Sequence, residues 1–269
     1  MRVRPAIPIV LLAALGAVFT LAQLVFAAPA DQTAPATEVA ARAPAAPPPA
    51  LNGSMLPSAP ATASTRRPAP RPHVIAKVRR TVALSERPGG PSTLSVGSTT
   101  EFGSPRVLSV AARRGKWLGV VTTERPNGTL AWVRRDRRSL RLRRTRWSLY
   151  ANVSDRTLVL RRGDRRVRRL SVAVGASGSP TPTGRFAVTD KLSGSRFGPY
   201  YGCCILALSG HQTNTPAGWQ GGDRLAIHGT DAPATIGTAA SAGCLRAADL
   251  PLQALMRSVP LGTPVFVHR

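Results

Sequence analysis

This 269-residue sequence predicts two successive β-rich units behind an N-terminal stretch that builds no core. Three observations carry the prediction. The aromatic residues fall almost entirely after residue 100, and short apolar–polar alternations broken by Gly- and Pro-bearing turns recur from residue 73 to the end. The region between residues 29 and 72 is dominated by Ala and Pro, with almost no aliphatic periodicity. Such a segment cannot bury enough apolar surface to offset its ordering entropy.

Taken in order, residues 1–30 carry Arg2 and Arg4 ahead of a long apolar run that ends in small residues at Val25, Ala27, Ala28 and Ala30. This is the layout of a secretory signal, or of an uncleaved membrane anchor, since the run from Ala6 to Ala28 is long enough to span a bilayer. Either reading places the remainder outside the cytoplasm. Residues 31–72 read as a semi-extended, disordered linker. The net charge of +25 comes almost wholly from arginine, Lys77, Lys116 and Lys191 being the only lysines. A surface this basic attracts polyanions. The expected compartment makes nucleic acid an unexpected partner and favours anionic wall polymers or a membrane surface.

From residue 73 to about 145, candidate strands lie at 74–78, 81–85, 92–102, 106–114, 116–124 and 130–135. Turns at Pro88-Gly89-Gly90 and Pro126-Asn127-Gly128 separate them, and the pattern argues for a small barrel or sandwich. The run from Val107 to Leu142, with Trp117 to Val120 followed by Trp132-Val133, resembles the later half of a bacterial SH3-like domain. Those tryptophans read equally as core aromatics or as the floor of a ligand groove. The arginine run over 134–146 reads either as a solvated strand or as a strip that holds anionic wall polymers or acidic lipid.

Residues 146–269 form the second unit. A hairpin turning at Gly163-Asp164 is followed by strands at 184–192, 203–210, 224–229 and 263–268. One helical signal begins near Asp249, a possible cap, and places Leu252, Leu255, Met256 and Val259 on one face. Its positive end would lie near Cys244.

The chemistry concentrates in residues 226–246. His228 and Cys244 stand sixteen positions apart among small residues. A cysteine reacts as thiolate, and a free thiol titrates at about 8.5, so it needs a base or cation beside it. His228 would serve as that base, and Arg246 would add to the field. Cys203 and Cys204 read as a bonded adjacent pair or as buried thiols, and a zinc site built from them with His211 fits no usual spacing. His211 otherwise reads as a pocket member, and His268 as a terminal-strand residue.

Residues 148–268 resemble the L,D-transpeptidase catalytic domain of the YkuD type. The carrying features are the opening hairpin, Gly184-Arg185-Phe186 after residues 179–183, Ile227-His228-Gly229-Thr230, and the Ser241-x-Gly243-Cys244-Leu245-Arg246 motif. Ala242 stands where many members carry a second histidine. The resemblance implies a mainly β, L,D-transpeptidase-type sandwich or barrel with one or two short helices, preceded by the small SH3-like barrel. It further implies a peptidoglycan L,D-transpeptidase. Cys244 would attack the stem tetrapeptide, release its terminal D-amino acid through a thioester and pass the acyl group to an amine of another stem. His228 would be the base, with Gly229 or Thr230 as supports that orient its imidazole; backbone N–H groups around Gly243 and Cys244 would form the oxyanion hole, and Ser241 would fix that loop or bond substrate. Arg246 would bind a stem carboxylate, and thiol acyl transfer needs no metal or organic cofactor. An L,D-carboxypeptidase using water, or a wall-binding protein whose catalysis has lapsed, are the alternatives.

Overall fold

A computed structural model describes residues 71–269, so the expected signal or anchor over 1–30 and nearly all of the expected linker lie outside the described residues. Strands β1 (His73–Val78), β2 (Val82–Ser85), β3 (Ser92–Val96), β4 (Val107–Arg114), β5 (Trp117–Val121), β6 (Ala131–Arg134) and β7 (Leu140–Thr145) form one antiparallel sheet. Its order is β3-β2-β6-β5-β4-β1-β7. Alternate residues Ala76, Val78, Leu84, Leu108, Leu118, Val120 and Val133 close over one small core. Trp132 is buried at its margin, with the Arg114 guanidinium 5.9 Å from its ring. Much of the arginine run is therefore the edge strand β7, where charged side chains discourage pairing with another chain.

The expected strand over 92–102 stops at Val96. Beyond it the chain leaves the sheet as a loop held by Arg106, whose guanidinium donates to the carbonyls of Gly97 and Thr99 at 3.0–3.2 Å. A hydroxyl and a carboxylate at its tip bond across to the second unit, which a paired strand would not allow.

That unit contains β8 (Trp147–Asn152), β9 (Thr157–Arg162), β10 (Arg165–Ser171), β11 (Val174–Gly175), β12 (Gly184–Ser193), β13 (Cys204–His211), β14 (Arg224–His228), β15 (Ala239–Ser241), β16 (Leu245–Arg246), α1 (Asp249–Ser258) and β17 (Pro264–His268). Eight of these strands make one sheet in the order β10-β9-β8-β17-β12-β13-β14-β16, while β11 and β15 pair separately. The β8–β17 and β14–β16 pairs are parallel. One face carries the main core, including Leu149, Phe186, Leu206, Ile227, Leu245 and Val265, under Leu252 and Leu255 of α1. Lys191 Nζ donates to the Met256 carbonyl at 2.7 Å and fastens the last turn of α1 to β12.

The opposite face meets the first sheet. Thr100 Oγ1 donates to the fully buried Asp190 carboxylate at 2.5 Å, Glu101 pairs with Arg224, and Arg185 donates to the Val110 carbonyl at 3.0 Å. His211, read from the sequence as a pocket member, lies in this seam. Its N–H donates to Asn127 Oδ1 at 2.9 Å, its carbonyl accepts from Asn127 Nδ2 at 2.6 Å, and its Nε2 donates to the Thr123 carbonyl at 2.7 Å.

Thr100→Val keeps the shape of the clasp but removes the donor from a buried carboxylate. We expect a loss of about 1–3 kcal/mol in unfolding free energy, measured by urea titration.

Candidate active site

The register of β14 against β16 aligns Ile227 with Leu245 and His228 with Arg246. Since Ile227 and Leu245 point into the main core, alternation puts Ala226, His228, Cys244 and Arg246 together on the opposite face. There Cys244 packs against the cluster of Leu192, Ile205, Ala207 and Ala226, and Tyr201 and Phe102, the latter from the first sheet's crossing loop, pack against the same cluster. Motif spacing alone did not show β15 and β16, the short strands that bracket the Cys244 turn. Each is only two or three residues long, and non-local pairing makes them strands.

His228 is wholly buried. Its Nδ1 bonds the Gly229 carbonyl at 2.6 Å and so is the protonated nitrogen, while Nε2 is buried without a partner. Of the two supports read from the sequence, Gly229 thus bonds the imidazole. Thr230 does not: its Oγ1 accepts from the Ala232 N–H at 3.0 Å and closes the following turn. Two tyrosine rings roof the imidazole, with centroids 5.5 Å (Tyr200) and 4.9 Å (Tyr201) from it. Both belong to a single 3-10 turn, Pro199–Tyr201, set between Gly198 and Gly202, whose φ angles are 101° and 56°. Trp219 leans on Tyr200 at 5.8 Å, and Phe197 bridges Tyr201 to Phe102 at 6.1 and 6.0 Å. The sequence reading missed this aromatic wall, although a Tyr pair flanked by glycines was its available signal.

Cys244 is the one free cysteine, because Cys203 and Cys204 are joined to each other. With those thiols bonded and His211 in the seam, the zinc set weighed from the sequence is not assembled. Cys244 Sγ donates to the Arg224 carbonyl at 3.8 Å rather than to His228. Burial pushes the thiol up to about 11, against smaller lowering by an Ala226 backbone hydrogen bond and by Arg246. Burial likewise pushes His228 down to about 4, against the Gly229 hydrogen bond. The resting pair is therefore neutral thiol and neutral imidazole. Asp249, at the first residue of α1, is not a cap; its carboxylate accepts from the Cys203 N–H at 3.1 Å.

Ser241 ties the turn. Its Oγ donates to the Cys244 carbonyl at 2.6 Å and accepts from the Gly243 N–H at 3.1 Å. In the resting structure the Gly243 N–H is thus engaged by the Ser241 hydroxyl. Glycine there does not make room for substrate: a Cβ on Gly243 would stand 1.8 Å from Gln212 Nε2, at a φ of 117°. Gln212 Nε2 donates to the carbonyls of Ser179, Pro180 and Ala242 at 3.0–3.1 Å and pins three segments under the turn. Ala242, in the place of the second histidine, contributes only that carbonyl to the network. Arg246 is buried with Nη2 on the Ala240 carbonyl at 2.8 Å, its guanidinium 4.9 Å from the Tyr200 ring and its Nε unpartnered. Among the described residues it has no carboxylate partner.

A depressed folded-state pKa means that the unfolded chain binds the His228 proton first as pH falls. The stability tied to neutral His228 is whole above about pH 6.5 and drains away down to about pH 4, a loss of up to about 3 kcal/mol. Chemical denaturation across that range should give a difference between wild type and His228→Gln that changes by this amount and is flat on either side.

Residues 146–267 match the family profile of the L,D-transpeptidase catalytic domain, YkuD. YkuD of Bacillus subtilis is 31% identical over 125 residues, covering 46% of this chain and 66% of that protein; YkuD of Bacillus licheniformis is 32% identical over 123 residues, covering 45% and 65%. The chain therefore spans just under two thirds of the length of these curated relatives. Among solved structures, an L,D-transpeptidase from Mycobacterium smegmatis superposes with a TM-score of 0.38 at 16% identity, over 70% of this chain and 99% of that one. The match to the YkuD L,D-transpeptidase catalytic domain thus falls on the segment from 146 to 267, which contains His228, Cys244 and the strands that set them on one face.

Proposed function

We propose that this protein is an exported L,D-transpeptidase that acts on peptidoglycan stem peptides through a Cys244 thioester. The observation that carries the reading is the His228 imidazole. Its Nδ1–H is fixed on the Gly229 carbonyl, and its Nε2 lone pair is buried and unclaimed on the face that holds Cys244. A neutral histidine in that tautomer is a base waiting for a proton.

In the proposed reaction, substrate enters beneath the Tyr200–Tyr201 turn and Cys244 Sγ swings from the Arg224 carbonyl toward Nε2. The thiol proton passes to Nε2 as sulfur bonds the amide carbonyl carbon after the third stem residue. Collapse of the tetrahedral adduct breaks the C–N bond, and the departing amine takes the proton from Nε2, leaving a thioester. An amine of a second stem then attacks, gives its proton to Nε2 and expels the sulfur, which recovers it. Arg246, buried without a carboxylate, supports the binding of a stem carboxylate near the thiol. The imidazolium that forms lies beside the negative charge of the tetrahedral adduct, so bound substrate that excludes water lowers the cost of separating charge.

Incubating the full chain with tetrapeptide muropeptides and separating products by mass should give cross-linked dimers with loss of the terminal D-amino acid. Cys244→Ala should give none, and His228→Gln should lower the rate by about 100-fold or more. Trimmed tripeptides without dimers would point to water as the acceptor, and unchanged tetrapeptide would refute acyl transfer. Tyr200→Ala, which opens the roof, should speed Cys244 acylation by a carbapenem several-fold in a stopped mixing experiment.

A further inference from the structure

Toward the edge of the second sheet far from Cys244, the faces of β10, β9, β8, β17 and β12 turned from the main core carry one row across five strands, whose last member, Arg185, reaches the first sheet. Register sets Arg169 beside Val159, Val159 beside Tyr150, Tyr150 beside Phe266, and Phe266 beside Arg185. Tyr150 and Phe266 stack with centroids 5.0 Å apart and planes 22° apart. Each outer ring face is capped by a guanidinium, Arg161 at 5.4 Å from Tyr150 and Arg185 at 5.5 Å from Phe266. Beside this stack lies a cavity of about 530 Å³ that also takes in Arg166, Arg169 and His268; a second of about 110 Å³ shares Tyr150 and Arg161 with it and continues past Arg146 to Arg71. Five arginines line the two cavities against two carboxylates, Asp155 and Asp164.

We propose that this groove binds a linear phosphodiester polyanion. Neighbouring strands lie about 4.8 Å apart, so the arginines of β9 and β10 and those toward Arg146 offer successive forks along a path rather than one point charge. Guanidinium matches phosphate in bidentate geometry, and the stacked rings already hold Arg161, so little side-chain freedom remains to be lost on binding. The same stack argues against single-stranded nucleic acid. Both faces of each ring are occupied, which leaves no platform for a base. A lipid surface is disfavoured because Val167 is the one large apolar side chain near the groove that is strongly exposed among the described residues. The inference does not depend on chemistry at Cys244, since the cavity lining ends at His268 of β17 and β12 and β13 lie between it and β14 and β16.

The test is titration calorimetry of the full chain with poly(glycerol phosphate) at low and at physiological salt. The triple variant Arg161→Gln/Arg166→Gln/Arg169→Gln should weaken binding about tenfold or more. A triple variant on β7, Arg141→Gln/Arg143→Gln/Arg144→Gln, removes the same charge and should change it less than about threefold. Tyr150→Ala keeps every charge and should still weaken binding about threefold, while Tyr150→Phe should not. Equal losses in the two triples would overturn the proposal in favour of general charge attraction. So would tighter binding of phosphatidylglycerol vesicles or of a single-stranded oligonucleotide than of the polymer. Should Tyr150→Ala fail to fold, the paired triples decide alone.

Discussion

Burying an imidazole with one nitrogen satisfied and the other left bare costs stability, and the rest of the candidate site is arranged around that cost. His228 is enclosed because β14 is flanked by β13 and β16 and because Tyr200 and Tyr201 lie over its ring. The Gly229 carbonyl fixes which nitrogen carries the proton. Burial also raises the thiol of Cys244, so the proposed base and nucleophile rest uncharged, and in the proposed reaction only their joint ionisation yields a reactive pair.

The first sheet is part of this arrangement. Its crossing loop puts Thr100 on buried Asp190, Glu101 on Arg224 and Phe102 against the cluster that holds Cys244. Arg224 then links the seam to the site through its own carbonyl, which accepts from the resting thiol. The unit that the sequence sets apart as an SH3-like barrel therefore packs, through Phe102, against the apolar cluster at the candidate site. The basic groove at the opposite edge of the second sheet leaves the cleft free and could keep it close to an anionic polymer.

Much of the β architecture was legible because alternation and Gly-bearing turns are local. The β9–β10 hairpin at Gly163-Asp164, the strand ending at His228 and the start of α1 near Asp249 all follow from such signals. Residues 92–102 misled because Ser, Thr and Phe fit a strand locally, whereas Thr100 and Phe102 find better partners ninety or more positions away. The YkuD motif located His228 and Cys244, yet it could not say where hydrogen bonds go. Gly243 is glycine because Gln212 packs against it, and Asp249 turns to Cys203 instead of capping its helix. Those facts depend on side chains that no spacing rule connects.

The direct test of the resting neutral pair is the pH dependence of Cys244 alkylation by iodoacetamide in the substrate-free full chain, where the other two cysteines are bonded together. The account predicts a rate that climbs steadily through pH 9 and 10 toward a midpoint near 11. A plateau reached at neutral pH, with a midpoint at or below about 8.5, would mean that the thiolate already exists at rest and would contradict it.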